Sequence, residues 1–161
     1  MHLIVFDSEI RNNFIPINLN KPTFEVLIGG KTILENLLEI INPDQYSLLI
    51  PNYLKKNAKN KYKVNINEEI SEVDKKETVF VNSLIDLNNI PVKKLKENED
   101  LALISNNNLI LAKCRIKKIN KLDNNDRKLI KMIEKCNIKL ESENNLLIKY
   151  PWELLEMNIN F

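Results

Sequence analysis

The chain has 161 residues, of which 24 are basic and 22 acidic, and 43% of its residues are hydrophobic. A formal net charge of +2 provides no strong attraction to nucleic acid or to an anionic membrane surface. The only two glycines, Gly29 and Gly30, are adjacent, and this excludes the GxGxxG and GxxxxGK loops that bind phosphates.

Histidine and cysteine are also scarce, which limits the chemistry further. His2 is the only histidine and stands at the N-terminus, so we expect no Ser-His-Asp or Cys-His site. Cys114 and Cys136 cannot form a zinc site alone. No secretory segment is apparent, so we expect free thiols in a reducing cytoplasm. No apolar run approaches the roughly 18 residues of a membrane span.

The first half of the chain predicts a strand, a helix and a second strand. The apolar run 3–6 is typical of a buried strand. Thr32 and Glu35 form a capping box, and apolar residues at helical spacing follow through 33–41. The run 47–50 is the second strand. This order predicts a βαβ unit with parallel strands.

The second half predicts another strand, a hairpin and three helices. The polar, Lys-rich segment 53–76 separates the two halves. The predicted strands are 78–81, 101–104 and 109–114, the last two forming a hairpin, and the predicted helices are 91–96, 126–136 and 153–156. The whole pattern indicates one α/β domain over residues 1–161, without internal repeats or a linker.

Polar residues follow two of the predicted strands at their carboxyl ends, where open α/β sheets bind ligands. Asp7 ends the first strand, and Arg11 follows with a guanidinium group that can bind phosphate bidentately. A salt bridge between Arg11 and Asp7 or Glu9 is the alternative. Asn82 ends the third strand, where its amide either binds a ligand or forms an Asx-turn.

Gly29, Gly30 and Lys31 are a second candidate anion site, because they precede the predicted helix. The first N–H groups of a helix have no partner within the helix and carry its positive dipole end, and Lys31 adds a charge beside them. In the alternative interpretation, the glycines only turn the chain into a well-capped helix.

A group of lysines resembles a nucleic-acid-binding patch, with Tyr53 and Tyr62 nearby. The lysines are Lys55, Lys56, Lys59, Lys61 and Lys63. Because Glu68, Glu69 and Glu72 follow and the chain is nearly neutral, a solvated helix face is the favoured interpretation. We therefore expect neither nucleic acid nor a membrane as a partner.

Three segments together resemble a known family. They are Phe6-Asp7 with Phe14-Ile-Pro-Ile-Asn-Leu-Asn-Lys-Pro-Thr-Phe-Glu-Val-Leu-Ile-Gly29 and Thr32-Ile-Leu-Glu35, then Val81-Asn-Ser-Leu84, and Tyr150-Pro-Trp-Glu-Leu154 with Asn158. The pattern is similar to that of the sugar nucleotidyltransferases related to the N-terminal domain of bifunctional N-acetylglucosamine-1-phosphate uridylyltransferase. The resemblance covers essentially the whole chain.

The resemblance implies a Rossmann-like nucleotide-diphospho-sugar transferase fold, with a mostly parallel sheet and helices on both faces. The implied reaction is attack of a sugar 1-phosphate on the α-phosphate of an NTP, which releases pyrophosphate, with Mg²⁺ as the implied cofactor. By matching positions, Arg11 and Lys21 would contact phosphates, the turn at Gly29 would lie near the ligand, and Asn82 would lie near the sugar or the metal.

The chain also departs from the family pattern at positions that matter for catalysis. Characterised relatives have a Gly-rich loop after the first strand and a lysine after the proline, where this chain has Thr23 after Pro22. Asn82 and Ser83 stand where relatives place a metal-binding Asp, with Asp86 as the nearest acid. Catalysis is therefore expected to be weakened or lost, and no catalytic residue or metal ligand is assigned.

An alternative function is a non-catalytic nucleotide-sugar-binding or regulatory module that partners a separate acyltransferase chain. Relatives usually continue past the Pro-Trp motif into a β-helix acyltransferase domain, which this sequence does not contain. The C-terminal residues provide an apolar surface for a protein partner or a homo-oligomer: Trp152, Leu154, Leu155 and Phe161.

Overall fold

The structure is a computed structural model that describes residues 1–68, 77–97, 100–116 and 124–160, with side chains as far as Asn158. The α-helices are α1 (Ile33–Ile41), α2 (Lys55–Lys61), α3 (Val92–Glu97), α4 (Asp126–Glu134) and α5 (Pro151–Asn160). The strands are β1 (His2–Phe6), β2 (Leu27–Ile28), β3 (Lys31–Thr32), β4 (Gln45–Leu49), β5 (Asn65–Ile66), β6 (Thr78–Asn82), β7 (Leu101–Ser105), β8 (Asn108–Cys114) and β9 (Leu140–Ser142). Among the described residues, no helix has the length and apolar character needed to cross a membrane.

Seven strands form one sheet in the order β5-β4-β1-β6-β8-β7-β9. Strands β5, β4, β1 and β6 are parallel to one another, β8 runs antiparallel to β6 and β7, and β9 is parallel to β7. The mostly parallel α/β sheet predicted from the sequence is confirmed. The predicted hairpin is β7 with β8, and its turn uses Asn106 and Asn107 at positive φ, which asparagine tolerates.

Helices cover both faces of the sheet, as the resemblance implies. Side chains alternate along β1, so Leu3 and Val5 join one apolar core, whereas Ile4 and Phe6 join the other. The first core includes α1 and α5 side chains, and the second is covered by α4 through Leu129. Because both faces are buried, β1 is a continuous apolar run, which is the pattern that its sequence shows.

The strongest helix prediction is confirmed in detail. Thr32 Oγ1 accepts a hydrogen bond from the Glu35 N–H at 3.1 Å, and a Glu35 carboxylate oxygen accepts one from the Thr32 N–H at 2.6 Å. Asn42 ends α1 in the left-handed conformation, with φ at 50°. The two glycines, however, are the turn of the β2–β3 hairpin, with φ values of 61° and 83°, and do not stand at the helix start itself.

Several elements differ from the sequence prediction. The polar segment after β4 contains α2 and the short strand β5, although residues 69–76 lie outside the described ranges. A 3₁₀ helix at Glu9–Phe14 follows β1, and α5 is ten residues long, where the sequence predicted only 153–156. His2 belongs to β1 and is buried, with its Nε2 atom 2.9 Å from Ser47 Oγ.

Candidate functional site

The order of the parallel strands reverses beside β1, which makes the carboxyl ends of β1 and β6 a switch point of the sheet. The chain passes from β1 through α1 to β4 on one side, and later returns to β6 on the other side of β1. In open α/β sheets, ligands bind at such a switch point. Asp7 and Ser8 follow β1, Asn82 ends β6, and Ser83 follows it; all four are fully buried.

Asp7 is the centre of the hydrogen-bond network at this edge. Its Oδ2 atom accepts from Arg11 Nε at 2.8 Å and from the Thr23 N–H at 3.2 Å, and its Oδ1 atom accepts from Ser83 Oγ at 3.0 Å. Burial raises the pKa of the Asp7 carboxyl group, and hydrogen bonds from Thr23 and the charge of Arg11 oppose that rise. The carboxylate therefore joins β1, β6 and the segment before β2.

Arg11 has its guanidinium group bound to protein acceptors. Besides Asp7, it donates from Nη1 to the hydroxyl of Tyr53 at 2.6 Å, and from Nη2 to the carbonyl groups of Asn18 at 2.6 Å and Lys21 at 3.2 Å. The residue is only 4% exposed. Of the two interpretations left open by the sequence, the structure contains the salt bridge to Asp7. We call Asp7, Arg11, Asn18, Thr23 and Ser83 the Asp7–Arg11 cluster.

Asn82 is also held by the protein. Its amide nitrogen donates to the Leu109 carbonyl group at 2.9 Å, and its Oδ1 atom accepts from the Leu84 N–H at 3.0 Å. The second of these bonds, two residues along the chain, is the Asx-turn that the sequence predicted as one alternative. The hydroxyl group of Ser8 lies 3.5 Å from the same Oδ1 atom.

Asp126 is a second buried carboxylate at this edge, and no sequence pattern predicted a functional role for it. Its oxygens accept from the N–H groups of Leu109 at 3.0 Å and Glu9 at 3.4 Å. Burial raises its pKa to about 6, because the two backbone hydrogen bonds only partly compensate the lost hydration and Glu9 adds a like charge. Asn124 donates to the Asp7 carbonyl group at 2.8 Å. The start of α4 is thus bound to the segment that follows β1.

Lys21 is placed beside the cluster by its main chain, since its carbonyl group accepts from Arg11 Nη2. The residue is partly exposed, and we find no ion pair between its ammonium group and a residue in the described ranges. Lys21 therefore differs from Arg11, whose donors are mostly engaged.

Gly29, Gly30 and Lys31 do not join the Asp7–Arg11 cluster through any hydrogen bond seen in the described ranges. The Gly29 N–H donates to Asn158 Oδ1 of α5 at 2.8 Å. Lys31 pairs with Glu39 of α1, with Nζ–Oε distances of 2.5 and 2.7 Å. These contacts attach the hairpin to α1 and α5. They agree with the interpretation that the glycines only turn the chain into a well-capped helix.

The Lys-rich segment has its charge partly neutralised by neighbouring acids. Lys59 pairs with Glu68, and Lys61 pairs with Glu25 at 2.9 Å. The acidic residues at 69 and 72 lie outside the described ranges. The segment forms the exposed side of α2, which agrees with the interpretation as a solvated helix face.

The described residues do not identify a ligand set for the Mg²⁺ ion that the resemblance implies. Asp7 and Asp126 accept hydrogen bonds at both oxygens, and so does Asp86, from Asn88 and Asn89. Within residues 1–68, 77–97, 100–116 and 124–160, no group of three or more His, Cys, Asp or Glu side chains is arranged to hold a metal ion. Members of this family typically use a divalent metal ion, but its ligands are not identified in the described part of this chain.

Solved structures with the same fold come from nucleotide-transfer enzymes and related proteins. Molybdopterin-guanine dinucleotide biosynthesis protein A from Archaeoglobus fulgidus has a TM-score of 0.52 and 12% identity, and the match covers 99% of this chain and 98% of that one. A nucleotidyl transferase from Methanothermobacter thermautotrophicus has a TM-score of 0.53 and 11% identity, with 99% and 96% covered. A glucose-1-phosphate thymidylyltransferase from Bacillus anthracis has a TM-score of 0.50 and 7% identity, with 99% and 94% covered.

The family is shown by sequence. No curated protein matches the chain significantly. The model of the sugar nucleotidyl transferase family, however, matches residues 3–160 and so spans both edges of the sheet and α5. The resemblance carried by the three sequence segments is thereby confirmed. The chain belongs to the sugar nucleotidyl transferase family and is a nucleotidyltransferase-like domain with a Rossmann-like fold.

Proposed function

We propose that this chain binds a nucleotide at the carboxyl ends of β1 and β6 and transfers its nucleotidyl group to a sugar 1-phosphate. The observation that carries the proposal is the meeting of buried polar residues from both strands at the switch point. Asp7 and Ser83 are joined by a 3.0 Å hydrogen bond across that point. Family membership and the names of the similar nucleotidyltransferase structures support the same reaction class.

Lys21 is the residue that we assign to the phosphates. Its carbonyl group accepts a hydrogen bond from Arg11, and the residue is partly exposed. Phosphoryl-transfer sites act mostly through positioning and neutralisation of negative charge. The ammonium group of Lys21 would bind the triphosphate. It would also stabilise the negative charge that develops on the leaving pyrophosphate.

Arg11 has a different role in this proposal. The resemblance implies that Arg11 contacts a phosphate, and that contact remains a prediction. A guanidinium group has five N–H donors, and four of the hydrogen bonds that it can form are made to Asp7, Tyr53, Asn18 and Lys21. We assign Arg11 as a positioning residue that holds the segment containing Lys21 against β1.

The reaction requires an oxygen of the sugar 1-phosphate to attack the α-phosphorus of the nucleotide, and the bond to pyrophosphate breaks. No residue of the chain needs to act as a nucleophile. The buried network holds the segments at the carboxyl ends of β1 and β6 in one arrangement. Ligand binding therefore loses little conformational entropy in these segments. The resemblance implies that Asn82 lies near the sugar or the metal and that the glycine turn lies near the ligand. Both are held by protein contacts, so we place the sugar outside them.

Ligand binding and turnover test the proposal together. Thermal unfolding is measured with each NTP and with UDP- and dTDP-sugars, with Mg²⁺ or with EDTA. A ligand at about 100 times its Kd adds about 2.7 kcal/mol to the stability. Pyrophosphate release is then followed with pairs of NTP and sugar 1-phosphate. Stabilisation together with pyrophosphate release supports the function; no stabilisation by any nucleotide would overturn it.

The non-catalytic module that partners an acyltransferase is not favoured, but the surface that suggested it can be described. Trp152 and Leu155 are 59% and 66% exposed, and the Trp152 ring stacks on Tyr150 at 4.6 Å. Leu154 is buried instead, because it packs into the core beneath α5, and Phe161 lies outside the described residues. A protein partner or a homo-oligomer through this surface remains a prediction, and so does the cytoplasmic location; light scattering tests the oligomer.

A further inference from the structure

Tyr53 is an exposed aromatic side chain at the same edge of the sheet as the Asp7–Arg11 cluster. It stands four residues after the end of β4, the parallel neighbour of β1. Its side chain is 62% exposed, although its hydroxyl group is engaged. Neither the family motifs nor the proposed function gives this ring a role.

The ring is held in place by a buried charge. Tyr53 accepts a 2.6 Å hydrogen bond from Arg11 Nη1, and the guanidinium carbon lies 5.7 Å from the ring centroid. Arg11 is fixed in turn by its 2.8 Å salt bridge to Asp7. An exposed ring that is already oriented loses little conformational entropy when a ligand stacks on it. Tyr53 is therefore a preorganised flat surface.

The same guanidinium group joins Tyr53 to the segment that contains Lys21. Its other Nη atom donates to the carbonyl groups of Asn18 and Lys21. Two further apolar side chains of this segment, Ile17 and Leu19, are 46% and 56% exposed. One guanidinium group thus binds both the exposed ring of Tyr53 and the chain segment that carries Lys21 and these two apolar side chains.

This combination fits the two chemically different ends of a nucleotide. Every base has an aromatic face that stacks on tyrosine regardless of its hydrogen-bonding groups, and phosphates require a cation. We infer that Tyr53 stacks on the base of the bound nucleotide while Lys21 contacts its phosphates. This inference rests on the proposed function, because it names the part of the ligand that the same site recognises.

Titration calorimetry of Tyr53 variants against three probes tests the inference. The probes are the nucleoside triphosphate that stabilises the wild-type protein most, inorganic tripolyphosphate, and the sugar 1-phosphate used in turnover. Tyr53→Ala should weaken binding of the nucleoside triphosphate roughly 5- to 100-fold, which is the usual effect of removing an aromatic ring from a base. Binding of tripolyphosphate should change less than about twofold.

Two further variants separate the ring from its hydroxyl group. Tyr53→Phe keeps the ring and removes the bond to Arg11, so it should retain most of the affinity, whereas Tyr53→Leu should behave like Tyr53→Ala. Trp152→Ala is the matched control, since it removes another exposed aromatic side chain that contacts Tyr150 rather than Arg11. It should bind all three probes as the wild-type protein does.

The possible results are distinguishable. Unchanged nucleotide affinity in Tyr53→Ala overturns the inference. A loss of tripolyphosphate affinity as large as the loss of nucleotide affinity also overturns it, because it would indicate a disturbed loop. The inference is also overturned if Tyr53→Phe loses as much nucleotide affinity as Tyr53→Ala, or if Tyr53→Ala loses affinity only for the sugar 1-phosphate. In each of these cases the wild-type protein still binds nucleotide, so the proposed function stands; only a wild-type protein that binds no nucleotide contradicts that function.

Discussion

Two regions of this chain have the sequence features of an anion site, and the tertiary structure gives them different surroundings. At the carboxyl edge, Asp7 and Arg11 are buried beside the strand that changes the direction of the sheet, next to a lysine with no ion pair in the described ranges. In the β2–β3 hairpin, Lys31 pairs with Glu39, and the Gly29 N–H donates to Asn158. Charged and N–H groups indicate a binding site only where the rest of the fold leaves them available.

The largest expected effect is on stability and comes from breaking the buried ion pair. Arg11→Ala leaves the Asp7 carboxylate buried without its counter-ion, so we expect a loss of about 3–5 kcal/mol in the free energy of unfolding. Urea denaturation measures it. Arg127→Ala, at an exposed position on α4, is the control and should cost less than about 0.5 kcal/mol. A cost below about 1 kcal/mol for Arg11→Ala would mean that the cluster does not organise the edge.

The second expected effect is a pH dependence from Asp126 at the same edge. Its pKa is raised from 3.8 to about 6 on folding, so the unfolded chain loses this proton at lower pH than the folded chain does. The contribution of this group to stability therefore falls as the pH rises from about 4 to about 6, and it is constant above that range. Each unit of pKa difference corresponds to about 1.4 kcal/mol, so the total is at most about 3 kcal/mol.

Comparison of the wild-type protein with Asp126→Asn isolates this group. The measured quantity is the unfolding free energy of the wild-type protein minus that of the variant, and it should decrease between pH 4 and pH 6. The altered hydrogen bonds of the variant add a constant to this difference and do not change its pH dependence. An increase over the same window would contradict the buried position of the carboxyl group.

The third effect contrasts the two lysines directly. Lys21→Gln should weaken nucleotide binding about 10- to 150-fold, because a hydrogen bond to a charged group contributes about 1.5–3 kcal/mol. Lys31→Gln removes an exposed ion pair with Glu39 and should leave nucleotide affinity unchanged. Calorimetric titration of both variants measures the contrast, and the reverse order would assign the phosphate site to the hairpin.

The smallest effect concerns the glycine turn. Gly30 has a φ of 83°, and an added Cβ would meet no atom within 4 Å, so only the backbone conformation opposes a side chain. Gly30→Ala should cost about 1–2 kcal/mol, and Gly30→Asn should cost less because asparagine tolerates positive φ. Neither variant should change nucleotide affinity. A binding defect with normal thermal stability would show that the hairpin contacts the ligand after all.

Much of the fold could be predicted because local patterns report it. The run 3–6 is apolar at every position because both faces of β1 are covered. The capping box predicted the start of α1 to within one residue. The strand β5 was not predicted. Its segment is short and polar, and pairing with β4 through Ser47 and Leu48 determines β5 more than its own composition does.

The candidate site was predicted less completely, for a physical reason. Asp7, Arg11 and Asn82 could be found because they stand at strand ends, but their hydrogen-bond partners could not. Tyr53 lies 42 residues from Arg11, Ser83 lies 76 from Asp7, and Asn124 lies 117 from Asp7. No local pattern reports contacts across such separations.

The sequence by itself determined the α/β class, the parallel unit around β1 and the family, because these depend on local periodicity and on short motifs. The tertiary structure decided that Arg11 is bound to protein acceptors, that Lys31 pairs with Glu39, and that Tyr53 is held exposed at the edge. A donor satisfied within the protein is less available for a ligand, and only the assembled sheet decides which donors are satisfied.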